Sequence, residues 1–127
     1  MDGMARQGRG DTTMRRANQS RQDFLRDAAD ILQREWREYH LLKSCPVFFN
    51  ITNFHLYNAT HGFRQGDLCL QHIEGILQDV FPERPVIHLG ADNFAVLAEE
   101  ANVQARIDKA CQRVQAYIGN PNIALKA

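Results

Sequence analysis

Three short clusters in the 127-residue chain carry the side chains best suited to binding or chemistry. The first reads Asn50-Ile51-Thr52-Asn53-Phe54. Asn58, Gly62, Gly66 and Asp67 follow it, and Gly90-Ala91-Asp92-Asn93-Phe94 comes last. Asn58 and Asp67 combine an amide with a carboxylate, a set that matches the hydrogen-bonding edge of a purine. Asp92 offers a hard oxygen ligand for a divalent cation. Gly90 allows a sharp turn and a close approach of backbone to a ligand. Asn, Gly and Asp are also what turns are made of, so a purely structural reading stays open beside the ligand-binding one.

Other familiar chemistry is missing. The sequence has no Gly-rich phosphate loop ending in Lys-Ser/Thr, no dinucleotide fingerprint and no Gly-x-Ser-x-Gly elbow. Cys69 and His72 stand at i and i+3, but too few further ligand types accompany them for a metal site. Cys45, Cys69 and Cys111 are odd in number and far apart. They read as buried reduced thiols, not as a disulfide framework or zinc ribbon. Lys plus Arg is 15 and Asp plus Glu is 15, a net charge of +0. That balance makes the chain a poor candidate for a dedicated nucleic-acid binder and gives little attraction to anionic membranes. No run is long enough to span a bilayer and the N-terminus has no signal-peptide core, so a cytoplasmic protein is expected.

The elements that must position these clusters follow from periodicity. With 44% hydrophobic and 24% charged residues, the composition is that of one ordinary globular domain. Residues 1–20 read as a flexible tail, interrupted by Gly3, Gly8 and Gly10. Residues 21–43 read as an amphipathic helix, with Leu25, Ala28, Ala29, Leu32, Trp36 and Tyr39 at helical spacing. Leu25, Ala28, Leu32, Tyr39 and Leu42 also fit a coiled-coil seam, which Glu35 interrupts; packing on its own domain is the favoured reading.

Val47, Phe48, Phe49 and Ile51 form the apolar run of a buried strand. Phe54 to His61 predicts a short helix closed by Gly62, and Gly66-Asp67 opens a second with Leu70, Ile73, Leu77 and Val80 on one face. Val86–Leu89 and Phe94–Leu97, joined by a turn-rich tetrad, predict a β-hairpin. Asn102 is the expected N-cap of a further helix that Gly119 and Pro121 end, and Ile123–Leu125 starts a last strand. The order predicts an α/β (α+β) sandwich: a central, partly antiparallel sheet flanked by helices, with an N-terminal helix in front. Ending on an apolar strand predicts that the 21–127 domain lacks its C-terminal part in this chain.

On these residues the sequence resembles the GGDEF family, the diguanylate cyclase-like domain of bacterial signalling. Asn50-Ile51-Thr52-Asn53-Phe54-His55 stands where the family has an Asp-x-Asp-x-Phe-Lys-like strand end. Asn58, Gly66-Asp67 and Gly90-Ala91-Asp92-Asn93-Phe94 take the places of its Asn, its Gly-Asp pair and its signature hairpin. The match runs from about Pro46 to Leu125. It implies the palm-like sheet of nucleotide cyclases. It also implies a domain that binds one GTP and, paired with a second copy and two magnesium ions, joins two GTP molecules into cyclic di-GMP.

Residue by residue, the carry-over is uneven. Asn58 and Asp67 match guanine-recognising positions. Asp92 matches a metal-binding carboxylate, and Ile51 a position that offers a backbone carbonyl to the metal. Asn50 replaces the metal-binding Asp and Asn93 the hairpin Glu, so two acidic groups are lost. Phe54, Gly90 and Ala91 border the expected nucleotide, with Ala91 in place of a second Gly; His55 stands where Lys is common. Phe81-Pro82-Glu83-Arg84 replaces the Arg-x-x-Asp of the family's inhibitory product site, so product feedback there is expected to be absent. The basic residues that grip the phosphates belong to a later part of the family domain.

The expectation is therefore a degenerate GGDEF domain with no catalytic residues and a weak Mg2+ site at Asp92 and Ile51. It would act as a GTP-binding or dimerising module beside other signalling domains. The alternatives are a working cyclase with unusual ligands and an interaction domain without nucleotide binding.

Overall fold

The structure, a computed structural model, describes residues 9–127, with side chains from residue 20 onward. Helix α1 spans Arg9–Tyr39. It is followed by β1 (Ser44–Thr52), α2 (Phe54–His61), α3 (Phe63–Val80), β2 (Val86–Gly90), β3 (Asn93–Glu99), α4 (Val103–Ile118) and β4 (Ala124–Lys126). The sheet order is β2-β3-β1-β4, and every neighbouring pair is antiparallel. Strands β1 and β2 therefore run parallel with β3 between them, a split βαβ unit whose crossover contains α2 and α3. The expected α+β sandwich is what forms, with a wholly antiparallel sheet.

Alternation along the strands decides which face is dry. Val47, Phe49 and Ile51 of β1 pair with Val96, Phe94 and Leu125, so all six project to one side. That side packs on Ile73, Leu77 and Val80 of α3 and on Ala110 and Val114 of α4. Phe81 closes the layer edge-on to Phe49, with ring centroids 6.1 Å apart. Burying side chains of this size contributes about 1.5–3 kcal/mol each, and this layer is the main source of stability.

Several boundaries differ from expectation. Helix α1 starts at Arg9, inside the segment read as a tail, and ends at Tyr39, where His40 turns left-handed (φ 55°). Residues 1–8 of the expected tail lie outside the described residues. Helix α3 begins at Phe63, so Gly66 and Asp67 lie one turn inside it. Asn102 sits at the N-cap of α4 but is itself left-handed and makes no side-chain cap bond.

The packing face of α1 also differs. Its apolar residues Leu25, Trp36 and Tyr39 are 65%, 59% and 53% exposed. The helix lies against β2 with Phe24 and Ile31 half-buried, and with Glu35 as the only charged residue buried among those described. Glu35 thus interrupts the apolar seam because it faces inward. Its Oε1 accepts the Lys43 N–H at 2.8 Å and its Oε2 accepts the Ser44 hydroxyl at 2.6 Å. Arg84 donates to the same Ser44 oxygen at 2.5 Å and to the Leu97 carbonyl at 2.9 Å. Burial pushes the Glu35 carboxyl up, but the Ser44 and Lys43 hydrogen bonds and the Arg84 charge outweigh it and hold the group below its ordinary value.

Candidate functional site

The end of β1 and the tip of the β2–β3 hairpin lie side by side because β1 and β3 are neighbours in the sheet. Asn50 is directly opposite Asn93, and its Nδ2 donates to the Asn93 Oδ1 at 3.0 Å. One residue on, the Ile51 N–H donates to the Asp92 carbonyl at 3.1 Å. Asn50 and Asn93 are exposed, Asp92 is half-buried, and the Ile51 side chain is fully buried in the core, so only its backbone is left to offer. The first and third clusters of the sequence are thus joined at the sheet end.

Past Ile51 the chain turns at Asn53, left-handed at φ 57°, and its Nδ2 donates to the Asn122 carbonyl at 2.8 Å. Helix α2 then buries Phe54, stacked on Tyr57 at 5.7 Å, and leaves His55 exposed. Asn58 lies one turn later against α3. Gly66 is what lets the two helices meet: a Cβ there would lie 1.9 Å from the Asn58 Oδ1 and 3.5 Å from the Phe54 ring. That Oδ1 is buried without a hydrogen-bond partner, alone in this among the described side chains. Asp67, the next residue along α3, is exposed. Buried polar atoms are nearly always paired, so the orphaned Asn58 oxygen is an exception among the described side chains, and the exposed Asp67 follows Gly66 directly in sequence.

The hairpin tip is tight. Gly90 pairs with Asn93, a register shift lies between His88 and Gly90, and Gly90 takes φ +131°. Ala91 takes φ +48°. The Ala91 Cβ, expected to oppose such angles, is accommodated under strain of about 1 kcal/mol. Ala91→Gly is expected to raise the stability of the chain by about 1 kcal/mol in urea titration. An unchanged or lower midpoint would show that the turn carries no such strain.

The donors at the sheet end do not fit a pair of divalent ions. Asp92 is a single carboxylate, the Asn50 and Asn93 amides are turned to each other, and the Ile51 carbonyl adds one oxygen. Among the described residues no group of three His, Cys, Asp or Glu side chains is placed to hold a metal. Cys69 and His72 do not converge either: the thiol is fully buried, and the imidazole stacks on Tyr117 at 3.8 Å. Burial pushes the Cys69 and Cys111 thiols up, so both are poor nucleophiles.

At the positions that replace the family's Arg-x-x-Asp, Phe81 is in the core and Arg84 is committed to Ser44 and Leu97. A cleft between α4 and β4, lined by Ile107, Cys111 and Leu125, contains none of the candidate residues. One participant was absent from the sequence reading. His88 reaches the Ala91 carbonyl from β2, a contact that the bulge creates and that no spacing rule reveals.

The model of the family described as diguanylate cyclase, GGDEF domain, matches residues 20–124. No curated protein matches the chain. Among solved structures, the GGDEF domain of DgcB from Caulobacter crescentus in complex with c-di-GMP superposes with a TM-score of 0.61 at 15% identity. That match covers 87% of this chain and 68% of the other. A diguanylate cyclase/phosphodiesterase from Caldicellulosiruptor saccharolyticus gives a TM-score of 0.56 at 19% identity, over 65% of this chain. The match covers 51% of that solved chain, so this chain spans about half of its length. Both likenesses concern the fold.

Proposed function

The chain belongs to the GGDEF domain family, the domain of cyclic di-GMP signalling, and from that membership we propose that it is a non-catalytic member which binds a guanine nucleotide and regulates a partner. The observation that carries this reading is the amide pair at the sheet end. Two carboxylates at positions 50 and 93 would face each other across neighbouring strands and would need cations between them. Asn50 and Asn93 instead satisfy each other at 3.0 Å without any charge. Phosphoryl transfer depends on cations that neutralise the phosphates, and this sheet end no longer demands them.

The base side of the site is better kept. Gly66 seats the Asn58 amide, and Asp67, the next residue of α3, is exposed. GTP fits this pair through the donors of its guanine edge. Asp92 and the Ile51 carbonyl would hold at most one weakly bound Mg2+ that arrives with the phosphates. On this reading the domain works in the bacterial cytoplasm, as a homodimer or beside another signalling domain. No helix among the described residues is long and apolar enough to cross a membrane.

Incubation with GTP and Mg2+ is expected to yield no cyclic di-GMP, while GTP alone raises the melting temperature. Turnover would overturn the non-catalytic part. No shift at millimolar GTP would overturn the nucleotide part and leave an interaction domain. Asn50→Asp together with Asn93→Glu is expected to lower the melting temperature by several degrees in chelator, because like charges then oppose each other across the strands. Added Mg2+ is expected to restore it. A double variant as stable as the parent in chelator would mean that the amide pair is not what relieves the site of cations.

A further inference from the structure

We propose that His88 is a positioning residue for the hairpin tip, orienting one backbone amide of the tip for a phosphate oxygen; the inference rests on the nucleotide reading above. The His88 Nε2 lies 2.7 Å from the Ala91 carbonyl oxygen. A carbonyl only accepts, so Nε2 carries the proton and donates. The ring is held in place by Phe94, its cross-strand partner, with centroids 4.7 Å apart and planes 23° from parallel.

The consequence follows from the planarity of the peptide. The Ala91 carbonyl and the Asp92 N–H belong to one planar trans unit and point in opposite directions. Fixing the carbonyl on the His88 side turns the Asp92 N–H away from it. His88 pairs with Phe94, whose side chain lies in the core layer; Asn93, one residue earlier, projects to the opposite face beside Asn50. The Asp92 N–H is thus directed away from the core layer. Ala91 is left-handed at φ +48° and resists this turn on its own account, so the tip needs an external hold. His88 supplies it, and a phosphate oxygen would meet an amide whose direction is already set.

The test uses the whole chain with two probes, GTP and guanosine, which share the base and differ in the phosphates. His88→Phe keeps a ring on Phe94 but has no donor; His88→Gln keeps a donor. His88→Phe is expected to weaken GTP binding about tenfold, to leave guanosine binding within twofold and to move the melting temperature little. His88→Gln is expected to recover most of the GTP affinity. Side-chain 15N shifts of the wild type are expected to show the Nε2–H tautomer. An Nδ1–H tautomer, unchanged GTP affinity in His88→Phe, or equal losses for GTP and guanosine would overturn the inference alone. A wild type that binds neither probe would overturn the nucleotide reading and this inference with it.

Discussion

Glu35→Ala is expected to lower the stability of the domain by about 2 kcal/mol. The substitution removes a buried carboxylate and strands two donors at once, the Lys43 N–H and the Ser44 hydroxyl. Arg84 keeps its bonds to the Ser44 oxygen and the Leu97 carbonyl but loses the negative charge of Glu35 near it. Glu35→Gln is expected to cost about half as much, since one amide oxygen still accepts.

The pH dependence has a definite sign. The folded Glu35 carboxyl lies below its ordinary value of 4.5. Its contribution is therefore complete above that value and is lost as pH falls through the lower folded one. The gap between wild type and Glu35→Ala, read as a difference in urea midpoint, is expected to be constant near neutrality and to close in acid. A gap that is absent at neutral pH, or that widens in acid, would mean that the carboxylate does not hold α1 to the sheet.

Gly66→Ala is expected to weaken guanine-nucleotide binding by more than tenfold while changing stability by less than about 1 kcal/mol. The added Cβ would lie 1.9 Å from the Asn58 Oδ1, so the amide has to leave its seat. The side chain is short and half-exposed and can rotate out, and Ala is favoured over Gly inside a helix by about 1 kcal/mol, which offsets the rearrangement. The effect thus falls on recognition. If Asn58 is the part displaced, Gly66→Ala and Asn58→Ala together bind GTP no worse than Asn58→Ala alone. Additive losses, or a Gly66→Ala chain that binds as tightly as the parent, would separate Gly66 from the recognition of the base.

The fold was legible in the sequence where local pattern decides it. The apolar run at Val47–Ile51, the short helix closed by Gly62 and the hairpin around Gly90 all appear, within a few residues, as β1, α2 and β2–β3. Boundaries set by packing were not. Residues 9–20 have no apolar period to mark them as helical, and the exposed stripe of α1 carries larger apolar side chains than its packed face.

The candidate residues could be chosen from type and spacing, yet what they do to one another depends on register. That Asn50 bonds to Asn93 requires β1 to neighbour β3 with those two residues opposed. That Glu35 faces Ser44 requires the chain to reverse at His40. That His88 touches Ala91 requires a bulge one residue away. Each is a contact between segments, and a hydrophobic period says nothing about contacts of that kind.

Strand β4 joins the sheet through three residue pairs with β1, all at its end. Two side chains of β1 and its following turn fasten the same region: Thr52 to the Ala124 carbonyl and Asn53 to the Asn122 carbonyl, across 72 and 69 residues of chain. So short an edge is the part of the sheet that unzips first in native-state fluctuations. When it peels away, the Asn53 turn loses its anchor, and the helix carrying His55 and Asn58 loses the fixed entry that aims it. Amide exchange should therefore be fastest at β4 and travel from there into α2, which makes the rim of the base site the most labile ground in the domain.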